Sequence, residues 1–97
     1  MTYDLQFLPS ALKEWRKLGA PLQQQFKKKL AERLTHPHVP ADRLYGLDQH
    51  YKIKLRSSGY RLVYSVEDTT VTVTVIAVGK RERGQVYKNA QKRHSSQ

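Results

Sequence analysis

The chain has no cysteine, so neither a disulfide framework nor a thiolate metal site is open to it. That fits a reducing cytoplasm, the location expected. Carboxylates are scarce: eight Asp and Glu stand against eighteen Lys and Arg, a net charge of +10. A nuclease that holds metal ions with acidic side chains is therefore poorly supplied, and no metal or other cofactor is expected. No apolar stretch approaches the roughly 20 residues of a membrane span, so no membrane partner is expected. The opening MTYDLQFLPS lacks the basic head and long apolar run of a secretion signal. Length is limited too: 97 residues suit one domain with one core, read here as 1–97 with a disordered tail at 94–97.

What is present is positive charge, unevenly spread. Residues 1–50 hold eight basic and five acidic side chains, net +3, while 51–97 hold ten and three, net +7. A basic half calls for an anionic partner: nucleic acid, an acidic protein or, third in order, a membrane surface.

Hydrophobic spacing predicts the elements. Tyr3, Leu5 and Phe7 alternate with Asp4 and Gln6 as on a half-buried strand. Leu8, Leu12, Trp15 and Leu18 then recur at helical spacing, with Ser10 as the expected N-cap and Gly19 as the stop. A second helix follows, with Pro21 in its first turn and Leu22, Phe26, Leu30 and Leu34 as its apolar stripe. Residues 36–49 read as an irregular connection with a short strand near Leu44–Leu47. Strands are expected at about 50–56, 60–67 and 70–79, the last central, then a polar helix from Glu82 to His94 bearing Val86, Tyr87 and Ala90. The fold class is α+β, in the order β-α-α-β-β-β-α, with a mainly antiparallel sheet and both N-terminal helices on one face.

Parity sharpens the hairpin HYKIKLRSSGYRLVY, residues 50–64. A slip of one residue inverts every side chain, so the loop must be even for Tyr51, Ile53, Leu55, Tyr60, Leu62 and Tyr64 to share a face. A Ser58-Gly59 turn pairs Arg56 with Arg61, Lys54 with Val63 and Lys52 with Ser65. Lys52, Lys54, Arg56 and Arg61 then share one open face, joined by Thr72 and Thr74, and Val63 is its apolar exception. Straight alternation leaves Arg81 off that face unless the chain bends near Gly79. A solvated, edge-protecting surface explains such a face as readily as an anion site does. The helix clusters KEWRK at 13–17 and KKK at 27–29 read first as solvated faces.

Four ordered segments, LKEWRKLG at 12–19, YKIKLRSSGYRLVY at 51–64, VGKRER at 78–83 and VY at 86–87, resemble the RelE toxins of bacterial toxin–antitoxin pairs. The resemblance covers about residues 3 to 93. It implies a compact microbial-ribonuclease-like domain that cuts messenger RNA in the ribosomal A site, on 16S ribosomal RNA. It implies a RelB-like antitoxin that silences the enzyme, with the pair repressing its own operon and operator DNA met only through that complex. The family's functional residues fall on Lys52, Lys54, Arg61, Arg81 and Tyr87. Lys13, Arg16, Lys17, Lys27, Lys28, Lys29, Arg56, Lys80 and Arg83 are the expected contacts to RNA or the ribosome.

The chemistry this set can offer is cleavage by the 2′-hydroxyl of RNA on the adjacent phosphate. That step needs a base, an acid and stabilisation of charge. Register places none of His36, His38, His50 or His94 on the cationic face, and His36-x-His38 lacks the further ligands of a metal site. Crowding lowers a lysine's pKa, so Lys52 and Lys54 are expected to divide the proton transfers, Lys54 as acid. Arg61 and Arg81 would grip phosphate, and Tyr87 would orient the nucleotide. The antitoxin is expected to be acidic or amphipathic and to displace segment 83–93, read as lightly anchored. A noncatalytic RNA-binding module and a structural DNA-binding partner remain the alternatives.

Overall fold

The computed structural model describes residues 2–80 and 85–95. Alternation makes Asp4–Phe7 a strand, β1. Pro9 then opens helix α1, Pro9–Arg16, because its fixed φ suits a first turn that needs no N–H. The cap is extended Leu8, without a side-chain bond, so Ser10 lies inside the helix instead of capping it. Gly19 likewise serves as the extended residue before helix α2, Ala20–Thr35, whose first turn holds Pro21 as expected. Phe26 and Leu30 of the apolar stripe are buried, with Leu22 and Leu34 packed against them. Where a short strand was expected near Leu44–Leu47 the chain turns instead, after a 3-10 turn at Pro40–Asp42 and an isolated bridge from Arg43 to Tyr51. Three strands follow, β2 His50–Leu55, β3 Tyr60–Glu67 and β4 Thr72–Lys80, then helix α3, Gln85–Ser95. That helix runs two residues into the stretch read as a tail. None of the described helices is long and apolar enough to cross a membrane.

The sheet order is β1-β4-β3-β2, antiparallel except between β1 and β4. β4 lies inside it, as a β-branched run with few polar positions requires. Helices α1 and α2 cover one face, over Tyr51, Ile53, Leu55, Leu62, Tyr64 and Val75. The opposite face is not open, contrary to the sequence reading. Val86 and Ala90 of α3 bury Val63, Ile76 and Ala77 there. Val63 is the physical reason, since an apolar side chain on that face needs a cover.

The β2–β3 hairpin keeps its predicted faces in a different register. Lys54 lies opposite Arg61 and Lys52 opposite Val63, with Leu55 opposite Tyr60 closing a four-residue turn. Arg56 sits in that turn rather than across from Arg61. The shift is two residues, so no side chain changes face. The turn holds Gly59 at φ 74, a left-handed conformation. On β4 the pairing jumps from Ala77 opposite Val63 to Val75 opposite Tyr64, leaving Ile76 as an extra residue. This bulge reverses the alternation: Val73 and Val75 face the helices before it, Val78 after it.

Tyr64 fastens the helical layer to the sheet. It is fully buried, donates to the Pro37 carbonyl at 2.7 Å and accepts from Arg33 Nη1 at 3.0 Å. Arg33 also bonds Asp42 and the Lys52 carbonyl. Tyr64→Phe keeps the ring but strands a buried carbonyl, so it is expected to cost about 1–3 kcal/mol. Thermal unfolding checks this as a drop of roughly 4–8 °C per kcal/mol in a domain of this size.

Candidate active site

The cationic face is built across three strands. Lys54 on β2 faces Arg61 on β3, and Arg61 faces Gly79 on β4. Lys52 lies two residues along β2 on the same side. Like charges opposed on a ladder destabilise it, so this row is not what folding alone selects. Its electrostatic signature is on Lys54, whose pKa is lowered chiefly by Lys52, then by desolvation, Arg61 and Arg56, with Asp42 partly opposing.

Arg61 is not an exposed surface cation. Its residue is 8% exposed, and its Nη1 donates to the Tyr60 carbonyl at 3.1 Å. Its buried Nε has no hydrogen-bond partner among the described residues. A buried donor left unmatched costs about 1–3 kcal/mol, a penalty that a phosphate oxygen would remove. Gly79 keeps the neighbouring position clear, with nothing within 4 Å of a built Cβ.

The second apolar cluster brings Tyr87 to this face. It is half-buried and packs with Val86 and Ala90 of α3 on the group that contains Val63, the cross-strand partner of Lys52. Arg81 and Arg83 lie outside the described residues. The Ile76 bulge, rather than a bend at Gly79, is what resets the alternation downstream on β4.

His38 and His50 stay out of the row. His50 does share its face by parity, contrary to the sequence reading, yet it is buried and its Nδ1 donates to the Asp48 carbonyl at 2.7 Å. His38 bridges Tyr51 Oη and Asp68 Oδ1, both at 2.9 Å. That contact, with a bond from Tyr3, lowers the Asp68 pKa. Among the described residues no group of three or more His, Asp or Glu is placed to hold a metal ion.

Comparison with known proteins decides the family. The profile of the ParE toxin of type II toxin-antitoxin system, parDE, matches residues 5–84. An Escherichia coli K12 protein, mRNA interferase toxin RelE, is 59% identical over 96% of this chain and 98% of its own. The Shigella flexneri mRNA interferase RelE matches to the same extent. A free E. coli toxin RelE carrying two substitutions superposes with a TM-score of 0.89 at 57% identity, covering 96% of this chain and 98% of that one. The intact E. coli RelBE toxin-antitoxin complex matches with a TM-score of 0.81 at 59% identity, over 84% and 99%. This chain belongs to the RelE toxins.

As a RelE toxin it divides its cations between two surfaces. Lys13, Arg16, Lys17, Lys27, Lys28 and Lys29 are all exposed on α1, α2 and their junction, the layer opposite Lys52, Lys54 and Arg61. Lys80 also leaves the row: it pairs with Tyr60, and its Nζ lies 5.8 Å from the centre of that ring. Arg56 is exposed in the turn beside Lys54.

Sequence reasoning missed the fastening of α3 in this RelE fold. β1 pairs only as far as Val75, so the β4 edge beyond it needs other partners. Glu14 Oε1 accepts from the Val78 N–H at 3.1 Å, and Arg93 Nη1 donates to the Ile76 carbonyl at 2.6 Å. The two side chains join each other at 2.8 Å. Segment 83–93 is therefore not lightly anchored over its described part, where Val86 and Ala90 are also buried. The available signal was Glu14, the sole carboxylate in helix α1.

Proposed function

We propose that this chain is a ribosome-dependent endoribonuclease that cuts messenger RNA in the decoding A site and so stops translation. Its relatives are named mRNA interferases. The observation that carries the reading to this chain is the carboxylate-free row Lys52–Lys54–Arg61, with a buried, unmatched guanidinium nitrogen and Tyr87 on the same face.

The 2′-oxygen attacks the adjacent phosphate, and the 5′-oxygen leaves with a proton. Lys54, its pKa lowered by its neighbours, is the acid, and Lys52 takes part in removing the 2′-hydroxyl proton. Arg61 binds the phosphate, and Arg81 is assigned the same task by family pattern. Tyr87 orients the nucleotide. None of these groups is a strong base at neutral pH, so positioning on the ribosome supplies much of the rate. The exposed lysines and arginines of α1 and α2 bind ribosomal RNA from the opposite layer, without a part in the chemistry.

A RelB-like antitoxin silences the enzyme in the cytoplasm, and the pair represses its operon. An apolar groove of about 210 Å³ between β1 and α2, lined by Leu5, Phe7, Trp15, Leu30 and Leu34 and rimmed by Lys27, suits an amphipathic acidic segment. If the antitoxin displaces α3, it must break the Glu14–Arg93 contact and uncover Val63 and Ile76.

The test is to map ends on translated messenger RNA in a purified system. The expected products carry a 2′,3′-cyclic phosphate and a 5′-hydroxyl. A 5′-phosphate at the cut would exclude this mechanism, and uncut messenger would leave only an RNA-binding role.

A further inference from the structure

Beside Lys52 lies a concavity of about 390 Å³ that none of the roles above uses. Pro40, Ala41 and Leu44 form its apolar lining, Arg43 and Lys52 supply charge, and Tyr45 stands at its edge. Tyr45 is 97% exposed, whereas the other five tyrosines are half-buried or buried. A lone exposed aromatic is ordinary on a protein surface. This one differs in how it is held. Leu44 and Leu47, on either side, are packed into the second apolar cluster. The Leu44 N–H donates to the His50 carbonyl at 3.0 Å, and Arg43 bridges to Tyr51. Gly46 turns the chain at φ 81, which projects the tip from two fixed ends. The ring is thus presented to solvent by a pinned turn, beside a lysine of the cationic row.

An exposed aromatic face, two cations and an apolar wall are the parts of a nucleotide subsite. The ring stacks an unpaired base, and the cations take the flanking phosphate. Arg43 is available for that task, since its contact with Asp48 is 4.0 Å and both side chains are largely exposed. The volume is of the size that ligand sites occupy, several hundred Å³. We propose that Tyr45 and Arg43 form a subsite for one messenger nucleotide next to the cleaved bond, with the base stacked on Tyr45. This rests on the reading of Lys52, Lys54 and Arg61 as the cleavage site. The subsite makes cleavage depend on which base occupies that position, with purines, the larger stacking surfaces, favoured. Unpaired bases of ribosomal RNA offer the same chemistry, but the concavity shares Lys52 with the cleavage row, which places the messenger there.

The test measures single-turnover cleavage on ribosomes carrying a set of messengers. Each codon position is varied through the four bases and an abasic nucleotide. The parent chain, Tyr45→Ala and Tyr45→Trp are compared. Tyr45→Ala should lower kcat/KM roughly 5- to 150-fold, the worth of one base stacked on an aromatic. Tyr45→Trp should restore it to within about threefold, since any aromatic face stacks. With an abasic nucleotide at one position, the parent and Tyr45→Ala should become equal. Equal rates for the parent and Tyr45→Ala on every template would overturn the subsite. So would a loss that persists on all abasic templates, which would assign the ring to ribosomal RNA. A parent chain that cut no template would overturn the cleavage reading itself, a separate and recognisable result.

Discussion

Replacing Lys54 by alanine is expected to slow messenger cleavage about 10²- to 10⁴-fold, the range for losing a positioned general acid. The substitution should not lower the unfolding midpoint, because Lys54 is exposed and faces other cations. Its pKa lies below the ordinary lysine value, with Lys52 as the largest cause. An acid must hold its proton to act. Activity should therefore fall as pH rises through that lowered pKa. The falling limb should vanish in Lys54→Ala. Lys52→Gln removes the largest cause of the shift, so in that variant the limb should move to higher pH, whatever the rate lost. A falling limb that stays in Lys54→Ala would assign the proton to another group. Stability has its own sign. The folded chain releases this proton more readily than the unfolded chain, whose lysine titrates near 10.5. Repulsion at Lys54 is thus fully present below the folded pKa and is relieved as pH rises from there towards 10.5.

How much of this site was legible depends on which residues carried a period. Tyr51, Ile53, Leu55, Leu62 and Tyr64 alternate strictly, so the face of Lys52, Lys54 and Arg61 was readable without a structure. The partner of each was not. An even loop of two residues and one of four leave every side chain on the same face, and alternation cannot tell them apart. Leu55 opposite Tyr60 decides for four, and moves Arg56 from the row into the turn.

The burial of the same face was written in one residue. Val63 breaks the pattern, and its cover is α3, a helix whose short apolar stripe of Val86 and Ala90 looks too slight to matter until Ile76 and Ala77 are set against it. Those two neighbours both face α3 only because the strand bulges between them and Val75. A bulge carries no sequence period of its own, so position 76 could not be read as an insertion. Helix ends were misread for a related reason. Ser10 has cap chemistry, but Pro9 before it already fixes the first turn. Tyr45 and Gly46 fell in a stretch taken as irregular, where no period exists to say which side chains point outward.

The Glu14–Arg93 contact yields the second large effect. Glu14→Ala removes the acceptor of the Val78 N–H and the partner of Arg93 in one step. Bonds to charged groups are worth about 1.5–3 kcal/mol, and these two side chains are mostly shielded from water, so a loss of roughly 2–3 kcal/mol is expected. The loss should be concentrated in α3. The helix is held to β4 by Val86, Ala90 and Arg93, and the first two are small surfaces. Hydrogen exchange of α3 amides should speed up about 30- to 150-fold, the equivalent of that free energy at 1.4 kcal/mol per decade. Messenger cleavage should fall with it, since Tyr87 leaves the face when the helix does. Glu14→Gln keeps an acceptor for Val78 while losing the charge, and should lie between the two. Exchange in α3 that stays at the parent rate, alongside a lowered unfolding midpoint, would show that Glu14 completes only the β4 edge. In that case an antitoxin that displaced α3 would still have to break the Arg93–Ile76 bond and uncover the Val86 and Ala90 contacts before Tyr87 left the site.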